Sequence, residues 1–524
     1  MPLLLKEKTI IDDEKVKKAH ILALSRGYQL DQEAFLFIKQ YAKEHDPIDL
    51  IKRVIDKIDE LSEKPVFLTK DLLEGALLKE GTKEAQAAFS EARRGKGVFH
   101  PYAKDVESDV RVLEDPTEKV SPIGDTTDFL RYFRDRFTRI ERILRKRFDM
   151  GGAVPIGEAV KAPANSEVRT IGMVTRKKET RGAVIMVIED LTSSATVFVP
   201  RTANRSLIDK ARMTLLDQVI AVRATKGKGD FLIAVDLMWP DVPERKAKRA
   251  HEPVYAALTS DLHVGSKNFL EVPFKKFLKW LCGRIGNSKQ REIAGRVKYL
   301  VIAGDVVDGI GIYPNQEREL AVLDITERYS LAARLLEEVP DYIEVIVIPG
   351  NHDATRQALP QPAILRKYAE PLYSTREIIA LGNPARVRLH GVELLLYHGR
   401  SLDDIISSVP KIRYQNLDKT VQKALEILLK ARHLAPLYGG KTPIAPEPRD
   451  HLVIEAPPDI LQVGHVHVLG YEKYRGTLLI NSGSWQSQTG YQEKMGLVPT
   501  PGIVPVVDLQ TFDVMPMDFK LEVS

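Results

Sequence analysis

Five short apolar runs in the C-terminal half of the chain each end on a polar motif, and this series constrains the fold more than any other feature. Val254–Leu258 leads into Thr259-Ser-Asp-Leu-His263, Tyr299–Ala303 into Gly304-Asp-Val-Val-Asp308, and Val345–Ile348 into Gly350-Asn-His-Asp353. Leu394–Leu396 leads into Tyr397-His-Gly399, and the shorter Ile460–Val463 into Gly464-His-Val-His467. Short β-rich runs that stop at Gly, Asp, Asn or His read as buried strands. Their polar side chains then gather at the C-terminal ends of the strands, where α/β sheets place their sites. Helical patterns lie between the motifs, over 275–284, 316–338, 401–407 and 416–432. Strands alternating with helices predict an α/β layered region over 253–524, closed by strands at 477–484 and 503–508. No internal repeat is present.

A chain of 524 residues exceeds what one core supports, so several domains are expected. Residues 1–75 read as a helical docking domain: Phe35, Ile38 and Tyr41, then Ile51, Val54 and Ile58, recur at helical spacing, with Asp31 and Asp46 as N-caps. Residues 76–124 are rich in Lys, Glu, Ala and Gly, include the basic cluster Arg93–Lys96, and read as a flexible linker. Residues 125–160 open with an amphipathic helix that carries Phe129, Tyr132, Phe133, Phe137, Ile140 and Leu144 on one face and arginines on a solvated face. Five short strands follow within 161–245, with a helical turn between the third and fourth, which is the pattern of an OB-fold β-barrel. The fold class expected is multidomain α+β. Aromatic residues are sparse in the barrel strands, Phe198 and Phe231 among them, so docking is favoured there over base stacking.

No apolar run approaches the ~20 residues that span a bilayer. The start MPLLLKEKTI lacks the apolar core and cleavage site of a secretory signal. A cytoplasmic protein is expected. The single cysteine, Cys282, excludes an intrachain disulfide and a cysteine-based metal site, and its apolar surroundings predict a core position. A net charge of +5 permits nucleic-acid binding without demonstrating it.

Asp261, His263, Asp305, Asn351, His398, His465 and His467 offer carboxylate, amide and imidazole donors. That mixture suits Mn²⁺ first, with Fe and Zn²⁺ also compatible, better than Ca²⁺. Seven donors for two divalent ions require a bridge, and a carboxylate bridges where an imidazole cannot; Asp305 is the natural choice. Two ions ~3.5–4 Å apart activate water and stabilise charge at phosphorus, so no protein base is needed. The leaving oxygen still needs a proton, and His352, next to Asn351, is the candidate general acid. His251, His433 and His451 lie outside any strand-end pattern and read as surface or packing residues, and His390 precedes its apolar run.

The motif order Asp-x-His, Gly-Asp-x-x-Asp, Gly-Asn-His-Asp, lone His, Gly-His-x-His resembles the calcineurin-like metallophosphoesterases. The resemblance implies that Asp261, His263, Asp305 and His467 hold one metal and that Asp305, Asn351, His398 and His465 hold the other. Asp308 and Asp353 then support the ligands. The flanking stretches Asp308–Pro314, Tyr397–Asp404, Asn481–Gln486 and Pro499–Val504, together with a barrel ahead of the phosphoesterase, resemble the small subunits of archaeal family D DNA polymerases over about residues 125–524. This implies a role in DNA replication within a DNA-directed DNA polymerase, as a 3′-to-5′ exonuclease that proofreads for a large catalytic subunit in a heterodimer or higher assembly. The implied substrate is DNA with a single-stranded or mismatched 3′ end. A sliding clamp would be reached through the holoenzyme, no membrane is involved, and the setting is the nucleoid of a prokaryote. Arg400 either contacts a substrate phosphate or pairs with Asp403 or Asp404. Two alternatives stand beside this reading. One is a non-catalytic assembly subunit; the other is a double-strand-break repair nuclease, whose phosphoesterase domain would come first rather than after about 250 residues.

Overall fold

The computed structural model describes residues 2–43, 45–59, 67–77, 99–120 and 124–520, with the side chains of 2–13, Gln32, Phe67 and Asp71 outside the description. Four helices, Pro2–Ser25, Gln32–Tyr41, Pro47–Asp59 and Lys70–Leu77, and a short parallel pair, β1 (Gln29–Leu30) with β2 (Phe67–Leu68), form the N-terminal unit. Asp31 accepts from Ala34 N at 2.7 Å and Asp46 from Ile48 N at 2.9 Å, as the capping pattern predicts. The inward face of the second helix is Ala34, Ile38 and Ala42. Phe35 is therefore turned outward and is 39% exposed, contrary to the sequence reading. The small residues at spacing four let this helix approach its neighbours closely, and the larger ones are left to the rim.

The expected flexible linker over 76–124 is only partly tested, because 78–98, with its basic cluster, lies outside the described residues. Residues 99–120 contradict it. Phe99 packs on Gly283, Pro101 and Ala103 are buried, and β3 (Val110–Glu114) pairs antiparallel with residues 385–389 at the edge of a later sheet. A few apolar anchors and a free sheet edge suffice to order a segment whose composition reads as polar.

The helix Thr126–Arg145 begins with a capping box at Asp125 and Asp128. Its arginine face is solvated as expected at Arg131, Arg134, Arg142 and Arg145, but not at Arg136, which is fully buried, or at Arg139, which is 8% exposed. Arg136 donates to Asp450 (2.8 Å), to Pro436 O (2.9 Å) and to Tyr132 OH (2.9 Å). Tyr132 joins the core of the C-terminal region, while Phe137, Ile140 and Leu144 pack on Ile171, Met173 and Val219 of the barrel. The helix is thus a strut between the two.

The barrel consists of β4 (Glu167–Thr180), β5 (Ala183–Glu189), β6 (Ser194–Val199), β7 (Val219–Lys226) and β8 (Phe231–Met238). It closes in the order β4-β5-β6-β8-β7, with the helix Arg205–Met213 between its third and fourth strands, as the OB pattern predicts. Alternate residues such as Val184, Met186, Ile188, Val197 and Val199 fill its interior.

The C-terminal region contains β9 (Tyr255–Thr259), β10 (Val297–Ala303), β11 (Glu344–Ile348), β12 (Ile379–Ala380), β13 (Ala385–Leu389), β14 (Val392–Leu396), β15 (Ile460–Val463), β16 (Leu469–Tyr474), β17 (Thr477–Ser482), β18 (Ile503–Asp508) and β19 (Val514–Asp518). One sheet runs β12-β11-β10-β9-β18-β19 and the other β16-β17-β15-β14-β13-β3. Leu258, Val301 and Ile346 of the first meet Val387, Leu394 and Ile480 of the second in one core. The outer faces are covered by helices: Phe277, Leu281 and Leu336 on one side, Ile405, Leu425 and Leu428 on the other. Each central strand is covered on both faces and so reads as an unbroken apolar run. Cys282 caps the helix Glu271–Leu281 and is half-buried rather than in the core. Among the described residues no helix is long and apolar enough to cross a membrane.

Candidate metal centre

The five motifs meet where β9, β10 and β11 of one sheet end beside β14 and β15 of the other. The chain turns sharply after each strand. Asp261 (φ 52°), His263 (52°), Asp305 (52°), His465 (71°) and His467 (56°) all adopt left-handed backbone conformations. Such conformations are unfavourable for residues with a Cβ and persist where the surrounding structure holds them, commonly at functional sites. The motif glycines provide the close approach. A Cβ on Gly464 would stand 2.5 Å from Asp261 Oδ2, and one on Gly350 would overlap the Asp305 carboxylate.

The donor atoms converge. His467 Nε2 lies 3.4 Å from Asp261 Oδ1 and 3.1 Å from His263 Nε2. His263 Nε2 is 3.8 Å from Asp305 Oδ2. On the other side of Asp305, His398 Nε2 lies 3.3 Å from the same Oδ2 and 3.0 Å from Asn351 Oδ1. His398 Nδ1 donates to Ala303 O at 2.9 Å, which leaves Nε2 to face the oxygens. Ligating histidines are held in this way, with one ring nitrogen on a carbonyl and the other on the metal. Asp305 thus stands between the two groups, the position a bridge requires. Asp261 Oδ1 and His263 Nδ1 are buried and have no hydrogen bond among the described residues. Two imidazole nitrogens in contact, beside a carboxylate oxygen that is left unbonded, fit a divalent cation.

The electrostatics agree with the geometry. Burial disfavours charge on Asp261, but His467 and His263 outweigh it and hold the carboxyl well below its usual range. Burial likewise opposes charge on His398, and Asp305 overcomes it, raising the imidazole to about 9. Against burial, nearby carboxylates raise His263 as well, so protons on His263 and His398 balance the carboxylates, a balance that bound cations would take over.

His352 stands at the rim, with its side chain 13% exposed. Its Nδ1 lies 2.6 Å from Asp308 Oδ1, and its backbone N donates to Asp305 Oδ1 at 2.7 Å. Gln316 donates to Asp308 at 2.9 Å, and Asp308 also lies 3.4 Å from His263 Nδ1. Asp353 accepts from Gly350 N (2.9 Å) and Tyr329 OH (3.0 Å) and so holds the loop. His465 is less engaged than the other expected ligands. Its ring is 5.2 Å from that of His398, but its Nε2 faces Asp403 at 3.2 Å. Arg400 pairs with neither Asp403 nor Asp404; it donates to Gln357 Oε1 at 2.9 Å, and Gln357 in turn donates to Asn351 O. His433, buried against Asp450, and His390, bonded to Tyr299, lie outside the centre. Sequence reading missed Gln316, Gln492, which lies 2.9 Å from His467 Nδ1, and the role of Asp403. None of these follows an apolar run, so only the folded contacts reveal them.

Residues 256–468 match the family model that describes the B subunits of DNA polymerases alpha and epsilon. The DNA polymerase II small subunit of Methanothermobacter thermautotrophicus is 40% identical over 483 residues, 92% of this chain and 96% of that protein. That of Archaeoglobus fulgidus is also 40% identical over 483 residues, 94% of its length. The Pyrococcus furiosus protein of the same name is 43% identical over 391 residues, 74% of this chain, and the match spans 63% of that longer relative, under two thirds of it. The chain belongs to the family of archaeal DNA polymerase II small subunits, the family D subunits that its motifs resemble.

Proposed function

We propose that this chain is the proofreading 3′-to-5′ exonuclease subunit of a heteromeric archaeal DNA polymerase, with a large catalytic subunit as its partner. The observation that carries the reading is the intact donor set, gathered around Asp305 with buried donor atoms left unbonded. Asp261, His263, Asp305 and His467 would hold one divalent ion, and Asp305, Asn351, His398 and His465 the other, with Mn²⁺ the first choice and Fe or Zn²⁺ compatible. When bound, the ions polarise the phosphodiester and acidify the attacking water. A calcineurin-like phosphoesterase over 253–524 fits the two facing sheets and the site at their strand ends.

The chain's own residues do the rest. A frayed 3′ end enters at the rim, beside His352 and Arg400. The Asp308 carboxylate accepts from His352 Nδ1 and orients the ring, which leaves Nε2 as the atom to give a proton to the departing 3′ oxygen. A nucleoside monophosphate is released. Arg400, with Gln357 as its polar neighbour, is placed to meet a phosphate of the same strand.

The test uses the full chain, alone and with its large subunit, on end-labelled DNA with a mismatched 3′ terminus. Stepwise shortening that needs Mn²⁺ and is lost in Asp305→Ala and His352→Ala is expected. No shortening in either preparation would leave a non-catalytic assembly subunit; cleavage only at duplex breaks would favour a repair nuclease.

A further inference from the structure

The chain that leaves the barrel carries Arg245, Lys246, Lys248 and Arg249 with Glu244 as the single acid among them. This connector is pressed against the turn between β16 and β17. A Cβ on Gly476 (φ 81°) would overlap Arg245 O, so only glycine lets the two backbones meet there. The connector is also fixed along its length. Arg245 donates to Asp459 at 2.6 Å and to Pro458 O, Lys248 Nζ to Glu393 at 2.7 Å, and Ala250 N to Leu509 O at 2.9 Å. From the facing turn, Arg475 Nη1 donates to Val242 O at 2.9 Å and pairs with Asp241.

Three further cations stand on this frame without such partners. Lys246, Arg249 and Lys473 are exposed, and the side chain of none makes a hydrogen bond or an ion pair among the described residues. Arg249 lies 3.6 Å from the centre of the Phe512 ring, which anchors the guanidinium without using its N–H groups. The acids whose charge reaches Arg249, namely Asp459, Asp513 and Asp508, are bonded to Arg245, Thr511 and the backbone of Gln510. The three free cations line one open groove of about 330 Å³, together with Ala247, Leu478 and Phe512.

This groove is remote from the metal centre. β15 and β17 begin beside it, after Asp459 and at Thr477, and they end at the motif loops Gly464 and Gly483. Strands of this length span roughly 15–20 Å, so the groove and the donors lie at opposite ends of the same strands.

We propose that Lys246, Arg249 and Lys473 bind the phosphodiester backbone of duplex DNA, at a contact separate from the metal centre. Unpaired cations held on a rigid frame meet phosphates without first giving up a carboxylate, and they release the counterions of the DNA as they do so. The apolar lining offers a surface to deoxyribose, which a free inorganic phosphate would leave unused. In a chain of the DNA polymerase small-subunit family, DNA is the polyanion that such a surface meets. Contacts to phosphate and sugar position a duplex without reading its sequence. The contact needs no metal, and it stands apart from any cleavage at the donors.

The test is fluorescence anisotropy of the full chain with a labelled DNA duplex, in EDTA, across a series of salt concentrations. The logarithm of the affinity should fall linearly with the logarithm of the salt concentration. The triple variant Lys246→Gln, Arg249→Gln, Lys473→Gln should bind more weakly on every duplex sequence, and its slope should be shallower than that of wild type by about 2–3. Its Tm should match wild type, because the three side chains are exposed. Arg131→Gln, Arg134→Gln, Arg142→Gln removes the same charge from the exposed face of the strut and should keep the wild-type slope. A wild-type slope in the first triple variant, an equal loss in the second, or no binding by wild type at low salt would overturn the proposal. So would polyglutamate that competes with the duplex charge for charge, since the groove would then fit an acidic protein segment.

Discussion

Gly350→Ala tests whether the strand-end motifs place the donors for chemistry or merely for packing. Gly350 has an ordinary backbone conformation, so the substitution introduces no torsional strain of its own. Its new methyl would overlap the Asp305 carboxylate and come within 2.5 Å of the Asp305 backbone N, where ordinary contacts begin at 3.4 Å. The loop that carries Asn351 and His352 must then separate from Asp305 by about 1 Å, and misplacement of that size costs roughly 10²-fold in rate. In barrier height this is about 2.7 kcal/mol. The overpacking itself should cost about 1–3 kcal/mol of stability, which so large a fold survives. Exonuclease rate on 3′-mismatched DNA and calorimetric Mn²⁺ titration, with circular dichroism as the check on folding, measure the three effects separately. Gly490→Ala, where an added Cβ meets nothing within 4 Å, is the neutral control. A Gly350→Ala protein with wild-type rate and wild-type Mn²⁺ affinity would refute the assignment of Asp305 as the shared ligand, because its carboxylate cannot keep its place.

Three further outcomes are expected. His352→Ala should slow cleavage by about 10²–10⁴-fold; Asp308→Asn should slow it less, and the double variant should be no slower than His352→Ala if Asp308 acts through His352. Asp450→Asn leaves Arg136 buried without its carboxylate, and denaturant unfolding should register a loss of about 3–5 kcal/mol. His433 is neutral in the fold, since burial and Arg136 push its imidazole down to about 4, below its unfolded value near 6.5. The unfolded chain therefore binds the extra proton between those pH values. Stability should be fully present above pH ~6.5 and fall by up to about 3 kcal/mol as pH drops towards 4. His433→Gln should flatten that limb, and an unchanged profile would count against the assignment.

The layered region was legible because its signals are local. A buried strand declares itself by an unbroken apolar run, and the motif after it lies in the same few residues, so Asp261, Asp305 and His398 could be placed before any contact was known. The barrel was legible for a similar reason: strand alternation and the helix between its third and fourth strands are read within 161–245. What escaped depends on partners far away in the chain. Arg136 and Arg139 look solvated beside Asp135 and Glu141, and only the arrival of Asp450 and Glu455 more than three hundred residues later buries them. Phe99 and Val110 sit in a polar stretch, and their burial depends on a helix and a sheet edge that the local sequence does not mention.

The same distinction explains which site residues were missed, and it bears on what the motifs alone can do. Trp485 N donates to Asp261 O, and the Trp485 indole donates to Thr259 Oγ1 at 2.7 Å, so the first motif is held by a residue beyond the last one. Gln492, beyond the last motif too, meets His467 Nδ1. Asp403, on the helix after His398, turns His465 Nε2 away from the other donors. These residues set ring orientation and carboxylate position, and geometry at a metal centre depends on such outer contacts nearly as much as on the ligands. The donors also come from two sheets, so their spacing depends on how the sheets are aligned. The strut helix adds to one outer face of that sandwich through Tyr132, and β3 extends the sheet that carries His398, His465 and His467. Chemistry readable in five short motifs is therefore positioned by elements that flank them on both sides, and a fragment limited to residues 256–468 would carry every donor while lacking Trp485, Gln492, β3 and the strut.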